Sequence, residues 1–361
     1  MNKLYIKNKK SNKSKEIPMY IGVSLILLVL LIASIGLAVA IGSVNITMKE
    51  VYDIILFKLF NIGDSTLGIG PKADVVWLIR MPRIVLAIAV GAGLSVIGIV
   101  MQAIVKNPLA DPYILGVSSG ASLGATLAVM LGFGTAFGSK SIGIMGFIGA
   151  FGISMLVLLI SNIGGRTNSI KLLLAGMALS SVCSAFSSFI IYFANNAEGM
   201  KTISFWLMGG LSGAKWQDST WIFFIVIMGT IFFMTQYRTL NLMLLGDEVS
   251  ITLGTDLNKY RHGYLIVTSL MIGVIVYASG MIGFIGLIIP HVVRMIFGTD
   301  HKKIIPVAAL VGSIFLIWAD VLSRTIVKGT EIPIGILISM IGAPCFVWLM
   351  VKRSYGFGGD K

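Results

Sequence analysis

Residues 80–125 read RMPRIVLAIAVGAGLSVIGIVMQAIVKNPLADPYILGVSSGASLGA. The run 81–105 is predominantly apolar, and it is longer than the roughly 20 residues that a membrane-spanning helix needs. Pro108 and Pro112 then end this helix, because each disfavours helical geometry in the residue before it. A Gly-Val-Ser-Ser-Gly sequence at 116–120 opens the next apolar run. The stretch therefore predicts two membrane helices joined by irregular backbone.

Apolar runs recur along the whole chain, before and after this stretch. They lie at 19–42, 81–105, 113–132, 141–162, 170–194, 219–237, 262–281, 282–298, 304–322 and 333–351. The seventh and eighth runs are separated only by the thin break that Gly280 and Gly283 provide. The pattern predicts an all-α membrane protein, a polytopic bundle of about ten transmembrane helices.

The composition excludes several other classes of protein. Hydrophobic residues make up 56% of the 361 residues and charged residues 12%, against about 25% charged residues in soluble domains. These values exclude a water-soluble enzyme, a secreted disulfide scaffold and a disordered chain. The apolar runs are continuous rather than alternating, which excludes a lipid-spanning β-barrel.

The formal charge of +13 follows the membrane topology rather than a basic face for nucleic acid. Six lysines precede the first apolar run, which is longer than the 7–15 residues of a signal-peptide core. These are Lys3, Lys7, Lys9, Lys10, Lys13 and Lys15. Threading the ten runs from a cytoplasmic N-terminus places most of the other basic residues inside as well, as the positive-inside rule requires. We therefore expect both termini in the cytoplasm and no nucleic-acid partner.

Three connecting segments are longer than turns. Residues 43–80 contain an amphipathic stretch with a capping box at Thr47 and Glu50, which we expect on the outer surface. Its apolar side is formed by Met48, Val51, Tyr52, Ile55, Leu56 and Leu59. A short apolar piece, Ile203–Leu211, is expected to dip into the outer half of the bundle. Residues 238–261 are expected in the cytoplasm as two short helices, hinged at Gly246 and ended by Gly254.

The residue types needed for chemistry are scarce. Only Asp320 lies well within an apolar run, whereas ion-coupled carriers usually hold ionisable residues inside the membrane. An ion-gradient-driven secondary transporter is therefore the less favoured alternative. We find no H-E-x-x-H motif, no nucleophile–base pair and no metal-ligand spacing. No catalytic, cofactor-binding or metal-binding residue is predicted, and no cofactor. A Walker A motif is also missing, so any ATP hydrolysis must occur on another chain.

The segment 106–121 is the richest in special residues. Irregular backbone at membrane depth is tolerated where it is buried in protein or lines a cavity. The segment is therefore either a loop beside a translocation path or a tight helix connection. The residues that would line or shape a path are Asn107, Pro108, Asp111, Pro112, Gly116, Ser118, Ser119 and Gly120.

Three blocks of the sequence resemble one family. Residues 80–125 resemble the signature region of the FecCD-type permeases, the membrane subunits of bacterial ABC importers for ferric siderophores, haem and vitamin B12. LNLMLLGDEVSITLG at 240–254 resembles the cytoplasmic coupling loop of that family, and residues 280–350 resemble its C-terminal third. The blocks occur in the right order between about residues 20 and 353.

The resemblance implies an architecture and a set of partners. A ten-helix permease domain, 19–353, would pair with a second copy or with a similar sister permease in the bacterial cytoplasmic membrane, in contact with lipid. The flanking segments 1–18 and 354–361 would be cytoplasmic tails. Cytoplasmic ATPase subunits would drive alternating access, and an external substrate-binding protein would deliver the cargo. We expect a ferric siderophore, with haem and cobalamin as alternatives.

The resemblance also implies roles for individual residues. Arg80 and Arg83 of the R-x-P-R motif, and Arg324, would meet acidic residues of the binding protein. Two other interpretations stay open: arginines that reach lipid headgroups, and an ion pair between Arg324 and Asp320 four residues earlier. The residues that would couple the permease to the ATPase are Gly246, Asp247, Glu248 and Gly254.

Overall fold

The computed structural model describes residues 2–42, 44–63, 68–163, 165, 167–327 and 329–352. Within these residues the regular elements are all helical. The helices are α1 (Asn2–Ala40), α2 (Met48–Phe60), α3 (Pro71–Asp74), α4 (Met81–Val105), α5 (Val117–Leu131), α6 (Ser141–Asn162), α7 (Ser169–Ala194), α8 (Ala197–Leu207), α9 (Trp216–Thr235), α10 (Tyr237–Leu245), α11 (Asp247–Thr252), α12 (Leu257–Ser279), α13 (Ile285–Phe297), α14 (His301–Thr325) and α15 (Ile334–Lys352). The predicted tail 354–361 lies outside the described residues.

Each of the ten predicted apolar runs contains one long or medium-length helix, which confirms the predicted fold class. Seven of these helices are long and apolar enough to cross a membrane, and α5, α13 and α15 are shorter. The second span starts earlier than predicted, at Pro71 instead of 81, because α3 and a π-helical segment at Val75–Arg80 continue into α4 without a break. The third starts later, at Val117, because turns occupy the residues after Lys106.

The helix α4 lies at the centre of the bundle. It contacts α9, α12, α13 and α14, and nearly all of its residues are buried. Glycines allow these contacts to be close. A Cβ atom on Gly91 would collide with the carbonyl oxygen of Gly312 on α14, and one on Gly98 would collide with that of Gly286 on α13. Glycine therefore occupies positions at which the backbones of two helices touch, as is common in membrane proteins.

The predicted amphipathic segment forms α2, and its capping box is present. Thr47 accepts a hydrogen bond from the backbone N–H of Glu50, and the Glu50 carboxylate accepts one from Thr47. The residues that α2 buries are Val51 and Ile54. Met48, Tyr52 and Leu59 of the predicted apolar side are exposed in the single chain.

The thin break that the sequence indicates between the seventh and eighth runs is an irregular segment from Gly280 to Phe284. Gly280 has a φ of 62°, as suits a glycine, but Phe284 also has a positive φ, of 65°. A bulky residue in the left-handed region is uncommon and carries strain.

Two ends of the bundle are distinguished by the short helices that lie there. We call the end that holds α2 the α2 end, and the end that holds α10 and α11 the α11 end.

Candidate functional site

The three arginines of the predicted docking surface lie together at the α2 end. The Arg80 side chain is buried and donates to the carbonyl oxygens of Val39 at 2.5 Å, Ala40 at 3.0 Å and Val44 at 2.8 Å. Arg324 donates to the carbonyl oxygens of Ile41 and Ala38. These carbonyls belong to the C-terminal end of α1 and the residues after it. Cations suit this position, because the C-terminus of a helix carries partial negative charge.

Arg83 is held by carboxylates instead. Its Nε lies 2.6 Å from Asp320 Oδ1, and one terminal nitrogen lies 3.0 Å from both carboxylate oxygens of Glu331. Arg324 Nε lies 3.4 Å from the other oxygen of Asp320. The alternative of an ion pair between Asp320 and Arg324 is thus confirmed. Asp320 is buried and Glu331 is half exposed.

The three guanidinium groups border one cleft of about 330 Å³, together with Glu331 and Gly42. Arg83 and Glu331 also line a neighbouring cavity of about 380 Å³. Three cations face two anions, so the cluster keeps one positive charge. The sequence analysis did not identify Glu331 as a member, because it lies in the connection between α14 and α15 and joins the site only through tertiary contact. Docking at these arginines stays a prediction.

Residues 106–116 form a loop of consecutive turns between α4 and α5, which starts beside Asp247 at the α11 end. Asn107 accepts from the backbone N–H of Leu109 at 2.9 Å, and Asp111 accepts from that of Tyr113 at 2.8 Å. Burial raises the pKa of Asp111 to about 6, although the N–H of Tyr113 opposes that shift. Gly116, with a φ of 77°, lets the chain enter α5.

This loop is joined to the broken segment between α12 and α13. The Tyr113 hydroxyl lies 3.2 Å from the carbonyl oxygen of Ile282 and 3.3 Å from its backbone nitrogen. The Ser118 hydroxyl lies 3.0 Å from the sulfur of Met281. Pro112 packs where a side chain at Gly286 would stand. The loop therefore contacts the break through Tyr113 and the start of α13 through Pro112, and Ser118 in the first turn of α5 contacts the break as well.

A cavity of about 410 Å³ opens at this junction. Its polar members are Tyr113, Ser118 and Ser339, and its apolar members include Met208, Met281 and Met340. Of the eight residues predicted to line or shape a path, only Ser118 borders this cavity. Gly120 packs against Gly149 of α6 instead. Methionines in apolar helices usually fill gaps in the packing, and only the fold shows that three of them share a cavity.

No group of three or more metal-ligating side chains occurs in the part of the chain that the structure describes. The cavity instead offers hydroxyl groups, thioethers and backbone. Surfaces of this kind bind through shape and weak polar contacts rather than through metal ligation.

The predicted coupling segment consists of α10 and α11 on either side of Gly246. Gly246 and Gly254 have φ angles of 101° and 79°, which glycine adopts at low cost. Glu248 is exposed. Four large apolar side chains around it are also exposed, between 44% and 61% of their surface: Leu245, Val249, Ile251 and Leu253. Several exposed apolar side chains grouped on one short helix and its flanks are typical of a protein-contact surface.

Asp247 faces the other way, into the permease. One carboxylate oxygen lies 2.7 Å from the guanidinium of Arg261, and the other lies 3.4 Å from Lys106 Nζ. Burial acts to raise the pKa of Asp247, but the hydrogen bond and charge of Arg261, with Lys106, outweigh it and lower the pKa. Arg261 was not identified from the sequence. No local pattern marks it, because Arg261 reaches Asp247 only through the fold of α11 against α12.

Comparison with known proteins agrees with this fold. The model of the FecCD transport family matches residues 26–352. The vitamin B12 import system permease protein BtuC of Salmonella paratyphi A is 40% identical over 279 residues, which are 77% of this chain and 84% of that protein. BtuC of Salmonella typhi matches with the same identity and coverage.

Two solved structures are similar as well. A chain of a metal-chelate type ABC transporter, solved in an inward-facing conformation, has a TM-score of 0.79 and 31% identity, and the match covers 92% of this chain and 99% of that one. PsaBC from Streptococcus pneumoniae shares the fold, with a TM-score of 0.52, 17% identity, and coverage of 84% of this chain and 95% of that one. The match to the family model includes α4, the 106–116 loop, α10, α11 and the three arginines at the α2 end. The chain therefore belongs to the FecCD transport family and is a multi-pass permease of an ABC importer.

Proposed function

We propose that the chain carries a large metal chelate, a ferric siderophore as the first candidate, across the cytoplasmic membrane. The observation that supports this cargo class is the cavity of about 410 Å³ beside the 106–116 loop. It is lined by thioethers, hydroxyls and backbone, so it suits a solute whose metal is already enclosed by another ligand. High affinity would then come from an external binding protein rather than from the path.

Cobalamin is the second candidate. The relatives at 40% identity are vitamin B12 permeases, and cobalamin is also a large chelate with an enclosed metal. Haem is the third candidate of the same cargo class, and no single residue of this chain distinguishes haem from a ferric siderophore or cobalamin.

The test is uptake of radiolabelled cargo into a deletion strain and its complemented parent, with ferric siderophores, cobalamin and haem supplied separately. We expect selective loss of one ferric siderophore in the deletion strain. Loss of cobalamin uptake alone would replace the first candidate by the second. Normal uptake of every compound would contradict the proposed cargo class for this chain in that strain.

ATP hydrolysis is proposed to occur on separate subunits that bind at the α11 end, which would face the cytoplasm. The exposed apolar side chains of α11 and the carboxylate of Glu248 would enter a groove of the ATPase. A rigid pair of short helices can pass the closing movement of the ATPase to the membrane domain. A second permease, either an identical copy or a sister chain, would complete the path.

The cleft at the α2 end is proposed as the docking site of the binding protein. The arginine cluster carries one uncompensated positive charge, and an acidic side chain of a partner could enter the cleft beside Glu331. Complementary charges would mainly speed the encounter and orient the partner. Reversing Arg80 and Arg83 to glutamate should weaken docking most at low salt, where screening is least. Docking that is unchanged at low salt would contradict this assignment.

A further inference from the structure

The carboxylate of Asp247 makes two ionic contacts that join α11 to other parts of the permease. Through Oδ1 it pairs with Arg261, whose side chain is only 2% exposed. The second terminal nitrogen of that guanidinium donates to the carbonyl oxygen of Thr167 at 2.7 Å. Thr167 lies in the connection between α6 and α7. One arm of the contact therefore joins α11 to this connection.

The second arm runs to the 106–116 loop. Asp247 Oδ2 pairs with Lys106, which ends α4 and has a left-handed backbone with a φ of 57°. A non-glycine residue in that conformation needs support from its surroundings. Movement of Lys106 is passed directly to the loop that begins there. The same loop reaches the wall of the cavity through Tyr113, and Ser118 follows in the first turn of α5.

We propose that Asp247 is the positioning residue that makes both loops follow α11 when the ATPase moves it, an inference that rests on the proposed ATP-driven function. The physical reason is the burial of Arg261. If α11 moved alone, it would leave a guanidinium without its counter-charge inside the protein, which is strongly unfavourable. The buried Arg261 therefore ties α11 to the connection between α6 and α7, and the partly exposed pair with Lys106 ties α11 to the 106–116 loop, whose Tyr113 lines the cavity.

The neighbouring residue Glu248 has a different role in this arrangement. Its side chain is exposed and faces away from the permease, where it would contact the ATPase. Asp247 and Glu248 are adjacent acids in the first turn of α11, and either could be read from the sequence as a dipole partner. Only the contacts with Arg261 and Lys106 assign Asp247 to transmission within the permease.

The experiment uses the permease assembled with its ATPase subunits in liposomes. Cys183 and Cys345 are replaced by serine, and single cysteines are placed at Leu109 in the loop or at Thr252 on α11. The rate of labelling by a membrane-impermeant maleimide is compared without nucleotide and after trapping with ATP and vanadate. With Asp247 intact, we expect trapping to change the labelling rate at both positions.

With Asp247→Asn, the change at Thr252 should remain and the change at Leu109 should be lost. Uptake per ATP hydrolysed should fall about tenfold, which is within the usual range of coupling between sites. Lys106→Met should also remove the response at Leu109, and adding it to Asp247→Asn should cause little further loss. Lys259→Met, on the exposed first turn of α12, is the matched control and should leave both responses unchanged.

Three outcomes separate the inference from the function on which it rests. If the parent complex shows no ATP-dependent response at either position, the proposed ATP-driven function fails. If the parent responds and Asp247→Asn responds equally at both positions, the inference is wrong. If Asp247→Asn does not assemble, Lys106→Met decides, because it leaves the buried contact with Arg261 intact. A retained response at Leu109 in that variant would also overturn the inference.

Discussion

At the scale of single residues, the ion pairs of Arg83 differ sharply in burial. The pair with Asp320 is enclosed, whereas the Glu331 side chain is 49% exposed. An enclosed ion pair is costly to break, because the remaining charge stays buried without a partner. An exposed pair contributes little, because water screens it. The two acids should therefore contribute very differently to stability although they contact the same arginine.

Asp320→Ala should lower the free energy of unfolding by about 3 kcal/mol, since it leaves Arg83 and Arg324 without their shared buried carboxylate. Glu331→Ala should lower it by less than about 1 kcal/mol. Thermal unfolding of the purified variants in detergent compares the two. Equal destabilisation would contradict the ranking by burial.

Asp111 gives a prediction about pH. Its raised pKa, about 6 against 3.8 in a free side chain, means that the folded protein holds this proton more tightly than the unfolded chain does. Stability from this group is therefore present at low pH and is lost as the pH rises through 6. Asp111→Asn keeps an oxygen for the N–H of Tyr113 and removes the charge. It should stabilise the protein by about 1 to 3 kcal/mol at pH 7.5.

The advantage of Asp111→Asn should shrink as the pH falls below 6 and disappear near pH 4. Melting curves of both proteins between pH 4 and 8 test this, and comparing the two proteins cancels the other titrating groups. An advantage that does not change with pH would show that the carboxylate is not the cause.

At the scale of elements, the packing of α4 depends on glycine in a way that the apolar pattern alone does not reveal. Gly91 of α4 and Gly312 of α14 each face the other's backbone, whereas a Cβ atom added to Gly152 of α6 would have no neighbouring atom within 4 Å. All three are helical glycines in apolar runs. The two kinds of position should respond in opposite directions to the same substitution.

Gly91→Ala should destabilise the protein by about 1 to 3 kcal/mol, because α4 and α14 must move apart. Gly152→Ala is the matched control and should be neutral or stabilising by up to about 1 kcal/mol, because alanine favours helix. The measurement is again thermal unfolding in detergent. Destabilisation by Gly152→Ala of the same size would mean that helix contact is not what separates the two glycines.

At the scale of the whole molecule, the two ends of the bundle carry different surfaces. The α11 end presents exposed apolar side chains around Glu248, and the α2 end presents a cleft lined by arginines. Under the proposed function, each surface has its own partner. A charge change at one end should therefore affect one association and leave the other unchanged.

Glu248→Lys should reduce association with the ATPase subunits about tenfold, or abolish ATP-driven uptake if the complex still forms. Glu198→Lys is the matched control, since it makes the same change at an exposed residue at the start of α8, at the α2 end. Co-purification of the ATPase with each variant is the readout, and membrane content confirms that both are inserted. Full association and normal uptake with Glu248→Lys would contradict the role of α11.

The sequence by itself determined the ten apolar helices, the capping box of α2, the hinge at Gly246 and the turns around Pro108 and Pro112. These features depend on neighbours in the chain: hydrophobic runs, caps and the backbone limits of proline and glycine act over a few residues. The starts of the second and third spans were less well predicted. The second begins earlier because α3 precedes α4 without a break, and the third begins later because turns occupy the residues before Val117.

Only the tertiary structure decided which side chains share a site. Glu331 joins Arg83 across 248 positions of the chain, and Arg261 joins Asp247 and the carbonyl of Thr167. The three methionines of the cavity come from three separate segments. Such groups are brought together by the packing of helices around α4, and no local pattern records that packing. The sequence therefore determined the elements, whereas the contacts between distant elements determined the sites.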